Sequence, residues 1–476
     1  MTLAITWNDV LALGPIAVIF AGILLVTIVE SILRSDERWT FWLTLVILVL
    51  AGASALATIG SQGMAFAGTV QTGGYAAYFA FVFSLGATLI VLLSHSYLEK
   101  QKTAMGEYYI LLLSAVLGMM VMAAANDLVV LFIGLETMSI PFYLLAGFTR
   151  AIPTSNESSL KYFLLGAFAT GFLLYGIALV YGTTGSTSIA HMRASLPQVA
   201  TDPLFVIGLG LMVAGFVFKV AAVPFHMWVP DVYEGAPTTV SGLMSTGGKA
   251  AALAALLVVF APVVLTAVPS IGEVIAVLAA LSMVLGNIVA IAQSSIKRML
   301  AYSSIAHAGY LLTGVVAGND AGANGVLFYL FAYTLMNIGA FGVVALLEAA
   351  AGERMGIDEC AGLSRTQPVL AALMAVFMFS LTGIPPFAGV VGKYYVFAGA
   401  IEGGYTWLAI LGVVMSVVSA YYYLRLVVVM YFQDGAHAPV PAVPRLGLVA
   451  LIISAIALLG LGVFPSTVVD VTSRFF

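Results

Sequence analysis

The sequence predicts an all-α polytopic protein that crosses a membrane about fourteen times, and three observations carry that prediction. The first is composition. Of 476 residues, 62% are hydrophobic and 8% charged, against roughly 25% charged in a soluble domain. The second is run length: apolar stretches of about 20 residues recur along the chain, enough to span roughly 30 Å of hydrocarbon as helices. They lack the strict alternation of barrel strands, and helices satisfy their backbone groups internally, as lipid requires. The third is the sidedness of the cations, which follows from the elements.

Val10–Leu33 opens the series. It has no basic leader and no small-residue cleavage site, so it reads as a retained first helix. Spans follow near 39–59, 76–97, 107–125, 127–149, 159–181, 203–224, 238–261, 271–293, 299–317, 325–348, 369–400, 407–432 and 446–466. The seventh meets Pro224 soon after Lys219 and continues as Phe225-His226-Met227-Trp228. The twelfth is too long for one straight crossing, and Pro385-Pro386 predicts a helix broken within the membrane. Alternate loops assigned to opposite sides sort the cations. Arg34, Arg38, Lys100, Lys102, Arg150, Lys297, Arg298, Arg354, Arg365 and Arg445 fall on one side, and only Arg193 and Arg474 on the other. The positive-inside rule then puts both termini outside.

The chain reads as one transmembrane domain, 1–476, in four parts. Three N-terminal helices (1–105) precede a five-helix unit (106–262), a second five-helix unit (263–432) and a C-terminal helix (433–476). A weak internal likeness links the units. Leu160 to Val180 resembles Val326 to Leu346, with Lys161 opposite Leu327, and Pro224-Phe225 echoes Pro386-Phe387. Five helices per unit invert the second relative to the first, and broken helices at corresponding points of two halves mark a transport site.

The charges inside these spans are the candidate site. Lys219, Lys249, Lys393 and Glu136 each sit within an apolar run, where one charge costs about 2.5–3.5 kcal/mol even on the lenient insertion scale. Desolvation draws lysine and glutamate towards neutral titration, and a neighbouring opposite charge does the reverse. A glutamate that moves relative to a lysine therefore converts motion into proton release, and a row of lysines makes a relay. Each residue has a plainer alternative: a carbonyl cap for Lys249, an ion pair for Lys219, snorkelling for Lys393, a permanently protonated carboxyl for Glu136. Lys161, one turn into its span, is either relay or anchor. His307 is a secondary candidate as proton shuttle or hydrogen-bonded core residue. His226 either links Lys219 to the aqueous face or bonds a helix terminus. Arg425 cannot release a proton, and Asp231 and Glu234 read as solvated or paired.

Other chemistry is excluded by motif. The chain has no GxGxxG after a strand, no P-loop, no CxxC and no HExxH, so no cofactor-binding or metal site is expected. Its single cysteine, Cys360, holds no cluster by itself. A net charge of −4 argues against a nucleic-acid partner.

The stretch Phe218-Lys219 through Pro224-Phe225-His226-Met227-Trp228-Val229-Pro230-Asp231 to Pro237, followed by Lys249, resembles the antiporter-like subunits of respiratory complex I. These belong to the proton-conducting membrane transporter family shared with multisubunit cation/proton antiporters. Leu135-Glu136-Thr137-Met138-Ser139-Ile140-Pro141 and Ser303-Ser304-Ile305-Ala306-His307 resemble its other signatures. Pro230-Asp231-Val232-Tyr233-Glu234-Gly235-Ala236-Pro237 is most similar to the subunit N branch of bacterial NADH–quinone oxidoreductases, as is lysine at position 393. The resemblance implies a fourteen-helix fold with inverted five-helix repeats. It implies Glu136 paired with Lys219, Lys161 beside them, Lys249 at the centre of a polar axis, and Lys393 in a second half-channel. FMN, iron–sulfur clusters and quinone would then belong to partner subunits, membrane and peripheral, with protons and lipid the only other partners. The expected setting is a bacterial plasma (inner) membrane. Two rivals stand beside this reading: a subunit of a sodium/proton antiporter, and a non-conducting structural subunit whose charges form inert pairs.

Overall fold

The computed structural model describes residues 12–32, 38–101, 105–351, 355–435 and 443–475. Arg34, Lys102 and Arg354, and both ends of the Val10–Leu33 run, lie outside the described residues. Helices α1 (Gly14–Ile32), α2 (Arg38–Thr58) and α3 (Gly74–Gln101) form the N-terminal group. Between α2 and α3 the chain turns through an antiparallel hairpin, β1 (Gln62–Ala65) with β2 (Val70–Gly73), pairing Gln62 with Gly73 and Ala65 with Val70. The sequence reading treated this segment as loop; strands of four residues are too short to give an alternation signal.

Helices α4 (Met105–Ala124), α5 (Leu128–Ala146), α6 (Pro153–Thr184) and α7 (Pro203–Val220) follow. At Val220 the chain breaks. Ala221 is left-handed at φ 68°, and the short helix α8 (Trp228–Gly235) resumes after Pro224. Helix α9 (Thr238–Val259) contains one π-helical turn, Met244–Gly248, immediately before Lys249. Helices α10 (Pro269–Ile291), α11 (Ile296–Val316) and α12 (Asp320–Ala351) come next. The twelfth span is two half-helices, α13 (Pro368–Thr382) and α14 (Ala388–Glu402), separated by left-handed Gly383 and the proline pair. Helices α15 (Thr406–Phe432) and α16 (Arg445–Val463) complete the bundle.

Caps explain where several helices start. Asp127 Oδ1 accepts from the Val129 and Val130 amides at the head of α5, and Ser295 caps α11 through the Arg298 amide; each satisfies orphan donors of a first turn. Burial sorts the helices by role. Helix α9 is buried along its whole apolar window, and α11 and α12 nearly so. The outer helices show Phe168, Val417 and Ile456 to the lipid position, as expected where the surrounding solvent is hydrocarbon.

Caps, glycine contacts and breaks recur between the two halves. The capping residue Asp127 bridges Ser188, and 168 places on in both cases Ser295 bridges Gly356. Gly118 packs on the backbone at Met138, and Gly286, again 168 places on, packs on the backbone at Ala306. The breaks correspond with a spacing of 162: Ala221 with Gly383, and the cis peptide before Pro224 with the cis peptide before Pro386.

Candidate functional site

Lys219, in the last turn of α7, is 6% exposed. Its Nζ donates to the Ser139 hydroxyl at 2.8 Å and to the Tyr143 hydroxyl at 3.2 Å, both on α5. Aromatic faces complete the enclosure, with Tyr143 and Tyr162 at 5.3 and 5.7 Å. Such faces attract a cation electrostatically. The break supplies the geometry: Ala221 and Ala222 return hydrogen bonds to Phe218 and Val217, and Trp228 Nε1 donates to the Phe218 carbonyl.

Glu136 lies half-buried on the same helix as Ser139 and Tyr143. The resemblance paired it with Lys219, but the two make no ion pair among the described residues. Instead Glu136 Oε1 accepts from Thr170 at 3.0 Å. The charges therefore act on each other through space and are not locked together.

Lys161 stands apart from this group. It makes ion pairs of 2.7 Å to both Glu157 and Asp231, and Asp231 also takes Arg298 at 3.1 Å. Of the two roles weighed for Lys161, this geometry is the anchor's. Burial alone would raise the Asp231 carboxyl, yet the Lys161 and Arg298 hydrogen bonds outweigh it and hold the group below its ordinary value. Glu234 accepts from Ser295 at 2.6 Å, so both carboxylates, which the structure places on the short helix α8, are engaged. Arg425 donates to the Gln293 carbonyl at 3.3 Å, and His226 is half-buried at the break.

Lys249 is 1% exposed at the end of the π turn. Nζ donates to the Ser304 hydroxyl at 2.7 Å and to the Ser304 carbonyl, and it lies 5.7 Å from the Tyr333 ring. A carbonyl contact is thus part of its setting. The Tyr333 and Tyr233 hydroxyls are within hydrogen-bonding reach of the same serine. One turn along α11, His307 is buried between two phenols: Nδ1 meets Tyr329 at 2.7 Å and Nε2 meets Tyr423 at 3.1 Å. His307 feels the charge of both Lys249 and Lys393.

Lys393, 5% exposed on α14, reaches back across the break. Nζ donates to the Leu381 and Thr382 carbonyls at 3.0 and 2.9 Å and to Ser416 at 2.7 Å. The Tyr310 ring lies 5.1 Å away and packs on His307. Lys393 also lines a crevice of about 740 Å³ between α14 and α15.

The structure thus joins Lys249, His307 and Lys393 in one tyrosine-lined cluster and sets Glu136 and Lys219 in a second. Among the described residues no hydrogen bond connects the two. The three buried lysines share one property: each is held by hydroxyls or carbonyls, with no acidic side chain at ion-pair distance among the described residues. The hydroxyl partners are Ser139, Tyr143, Ser304 and Ser416; Ser139 and Ser304 lie in the motifs quoted from the sequence, but none of the four is read there as a lysine partner. Ser139 and Tyr143 sit three and seven residues after Glu136, one helical face, which is the signal that could have found them.

A profile of the family described as NADH:quinone oxidoreductase/Mrp antiporter, TM, matches residues 125–419. The chain is 45% identical over 459 residues to NADH-quinone oxidoreductase subunit N of Trichlorobacter lovleyi, covering 94% of this chain and 93% of that one. It is 46% identical over 471 residues to the subunit N of Salinibacter ruber, covering 96% and 94%. Among solved structures, a chain of respiratory complex I from Thermus thermophilus with bound aureothin superposes with a TM-score of 0.84 at 38% identity, over 96% of this chain and 98% of that one.

Proposed function

This chain belongs to the NADH:quinone oxidoreductase/Mrp antiporter membrane family, and from that premise and its likeness to subunits N we propose that it translocates protons within the membrane arm of an NADH–quinone oxidoreductase. It is a multi-pass subunit of an enzyme complex, and its partners are the other subunits of that complex. In this reading flavin, iron–sulfur clusters and quinone belong to those partners. The membrane is a bacterial inner membrane with both termini on its outer side, as the loop cations indicate. The working division is an N-terminal group (1–105), two inverted five-helix units (106–262 and 263–432) and a C-terminal helix (433–476), supported by the matched caps, bridges and breaks.

One observation carries the relay: Lys219, Lys249 and Lys393 are all but sealed from solvent and have no carboxylate at ion-pair distance among the described residues. A merely structural buried cation is expected to be ion-paired, because breaking or omitting the pair leaves a penalty of about 3–5 kcal/mol. Lysines solvated only by hydroxyls and carbonyls can lose the proton and keep those groups engaged. Glu136 sets the switch. Its charge favours protonated Lys219, and since Thr170 is its one side-chain hydrogen-bond partner among the described residues, rotation away from Lys219 withdraws that support. The proton then passes by way of hydroxyls to Lys249, on through Ser304 and His307, and to Lys393. Lys161 anchors the α6–α8 contact in this scheme, with Asp231.

The test is Lys219→Ala in the assembled complex. Proton pumping and coupled quinone reduction fall while the complex still assembles; unaltered turnover and pumping sink the assignment. The antiporter rival is separated by co-purification. Flavin, iron and NADH-driven quinone reduction accompany the chain in the favoured reading, whereas a cofactor-free membrane assembly with sodium-dependent proton movement supports the rival.

A further inference from the structure

The relay proposed above reaches Lys249 from a cluster with which no hydrogen bond connects it among the described residues, and the seam between α9 and α12 offers Lys249 a supply of its own. These helices run antiparallel, one polar rung after another. At the end where Lys297 bonds the Ala236 carbonyl, Thr238 donates its hydroxyl to Glu348 Oε2. Farther in, Asn337 Nδ2 donates to Ser245 at 3.3 Å and to the Tyr333 hydroxyl at 2.5 Å. The last rung is Lys249 against the Tyr333 ring. Thr238, Ser245 and Lys249 lie on one face of α9, and Glu348, Asn337 and Tyr333 on one face of α12, at helical spacings.

Two acceptors on this seam are buried without a partner among the described residues: Glu348 Oε1 and Asn337 Oδ1. Glu348 is 8% exposed and Asn337 fully buried. An unsatisfied buried polar atom costs about 1–3 kcal/mol, more when charged. Packing does not explain two of them three turns apart on the same face. Acceptors that receive a proton or a water in transit do. Beside the π turn the Gly242 carbonyl accepts the Ser245 and Thr246 hydroxyls at 2.8 and 2.9 Å, so side chains line the seam there; π turns recur at functional sites.

We propose that this seam loads Lys249, with Glu348 as the proton-collecting carboxylate at its cation-rich end. This rests on the relay reading. The proton binds Glu348 Oε1 to give the neutral acid and leaves by way of water to the Tyr333 hydroxyl, which Asn337 positions together with Ser245; Tyr333 takes it as it gives its own proton through Ser304 to the Lys249 amine, which has released its proton onward. The carboxylate is thereby restored. Thr238 and Ser245 are seven residues apart, about 10 Å along the helix at roughly 1.5 Å per residue. Phe341, whose Cβ lies 3.3 Å from where a side chain on Gly242 would begin, closes that interval. Among the described residues Tyr97 on α3 faces Glu348, and Tyr108 on α4 and Lys297 on α11 bond the same end of the seam at Thr239 and the Ala236 carbonyl.

The experiment compares Glu348→Gln, Glu348→Asp, Asn337→Leu and Lys249→Met in the whole complex, reconstituted in vesicles and driven by NADH. Glu348→Gln lowers pumping about tenfold, short of the roughly hundredfold that removing a positioned proton-transfer group costs where that step limits. Glu348→Asp keeps most of the rate. The residual rate of Glu348→Gln rises as pH falls on the loading side, a response that a packing defect would not give. Wild-type pumping in Glu348→Gln alongside loss in Lys249→Met overturns the route and leaves the relay standing; wild-type pumping in both overturns the relay as well. If the Glu348 variants fail to assemble on native gels, Asn337→Leu decides: lowered pumping supports the seam, and an unchanged rate overturns it.

Discussion

Lys249→Met separates charge from shape at the most enclosed cation of the chain. Methionine keeps the length and apolar stem of lysine but removes the ammonium from a site 1% exposed. Two terms set the effect on stability. Ser304 loses a donor to its hydroxyl and its carbonyl, and a buried group left unsatisfied costs about 1–3 kcal/mol. Against that, the desolvation penalty of one buried ion, several kcal/mol after relaxation, is removed. The balance is near neutral or stabilising, so the complex assembles and its melting temperature holds or rises. Function moves the other way, because methionine carries no proton. Pumping through this chain falls by about a hundredfold, the low end for loss of a positioned acid–base group. Lys249→Arg is the control. It restores the charge but cannot release it at any working pH, so it also fails to pump. The assay is NADH-driven acidification of vesicles, with native gels and thermal unfolding in parallel. Pumping retained in Lys249→Met refutes the relay. Pumping retained in Lys249→Arg alone shows that Lys249 acts as a fixed charge and never as a proton carrier.

Two further substitutions probe the scaffold. Asp231→Asn breaks both cation contacts; because the partners are one-third to two-fifths exposed, the loss stays within about 1 kcal/mol, with pumping retained. The Asp231 carboxyl is held below its ordinary 3.8, so its contribution is complete above that value and is lost only as pH falls through the lower folded one. The melting difference between Asp231→Asn and the parent is therefore constant from about pH 5 to about pH 8 and shrinks below about pH 4. Gly389→Ala is harsher, because a Cβ there would stand 1.8 Å from the Ser380 carbonyl oxygen. The half-helices α13 and α14 have to part, overpacking of this kind costs about 1–3 kcal/mol, and the melting temperature of the complex drops while Gly412→Ala, which meets only the Phe397 ring, is the milder comparison.

The fold was legible because its signals are the strong ones: apolar run length and proline. Every span expected from the sequence has a helix in the structure, and both breaks fall at the prolines that foretold them. Helices α6 and α12 extend beyond the expected 159–181 and 325–348, since their polar first turns at Pro153–Glu157 and Asp320–Asn324 carry no hydropathy signal. The site was half legible. Charges in apolar runs announce themselves, so Glu136, Lys219, Lys249 and Lys393 could be read directly. Their partners could not, because a serine or tyrosine inside a membrane helix is common and which helix it faces is a property of packing. Lys161 shows the converse: its meaning depended on Glu157 four residues earlier, an i,i+4 pair visible in sequence, and on Asp231 seventy residues later, visible only in three dimensions.

The matched halves explain why one chain can be symmetric in backbone and directional in chemistry. The spacing of 168 that relates the caps places Ser304 where the first half has Glu136, and His307 where it has Ser139. The spacing of 162 at the breaks places Lys393 where the first half has Asp231, and Leu381 where it has Lys219. Three of these replacements, at Ser304, His307 and Lys393, remove a negative or add a positive group in the second half, while Leu381 removes a positive one. Two equivalent wells would hold a proton equally and give it no direction. With Glu136 confined to the first half, Lys219 is the cation whose protonated form has a carboxylate's support, while Lys249, His307 and Lys393 share one enclosure and repel each other's charge. A proton arriving at Lys249 therefore weakens the hold on the one at Lys393. In the relay proposed here, that repulsion, with Glu136 as the movable element, is what would give a symmetric pair of broken helices steps in one direction.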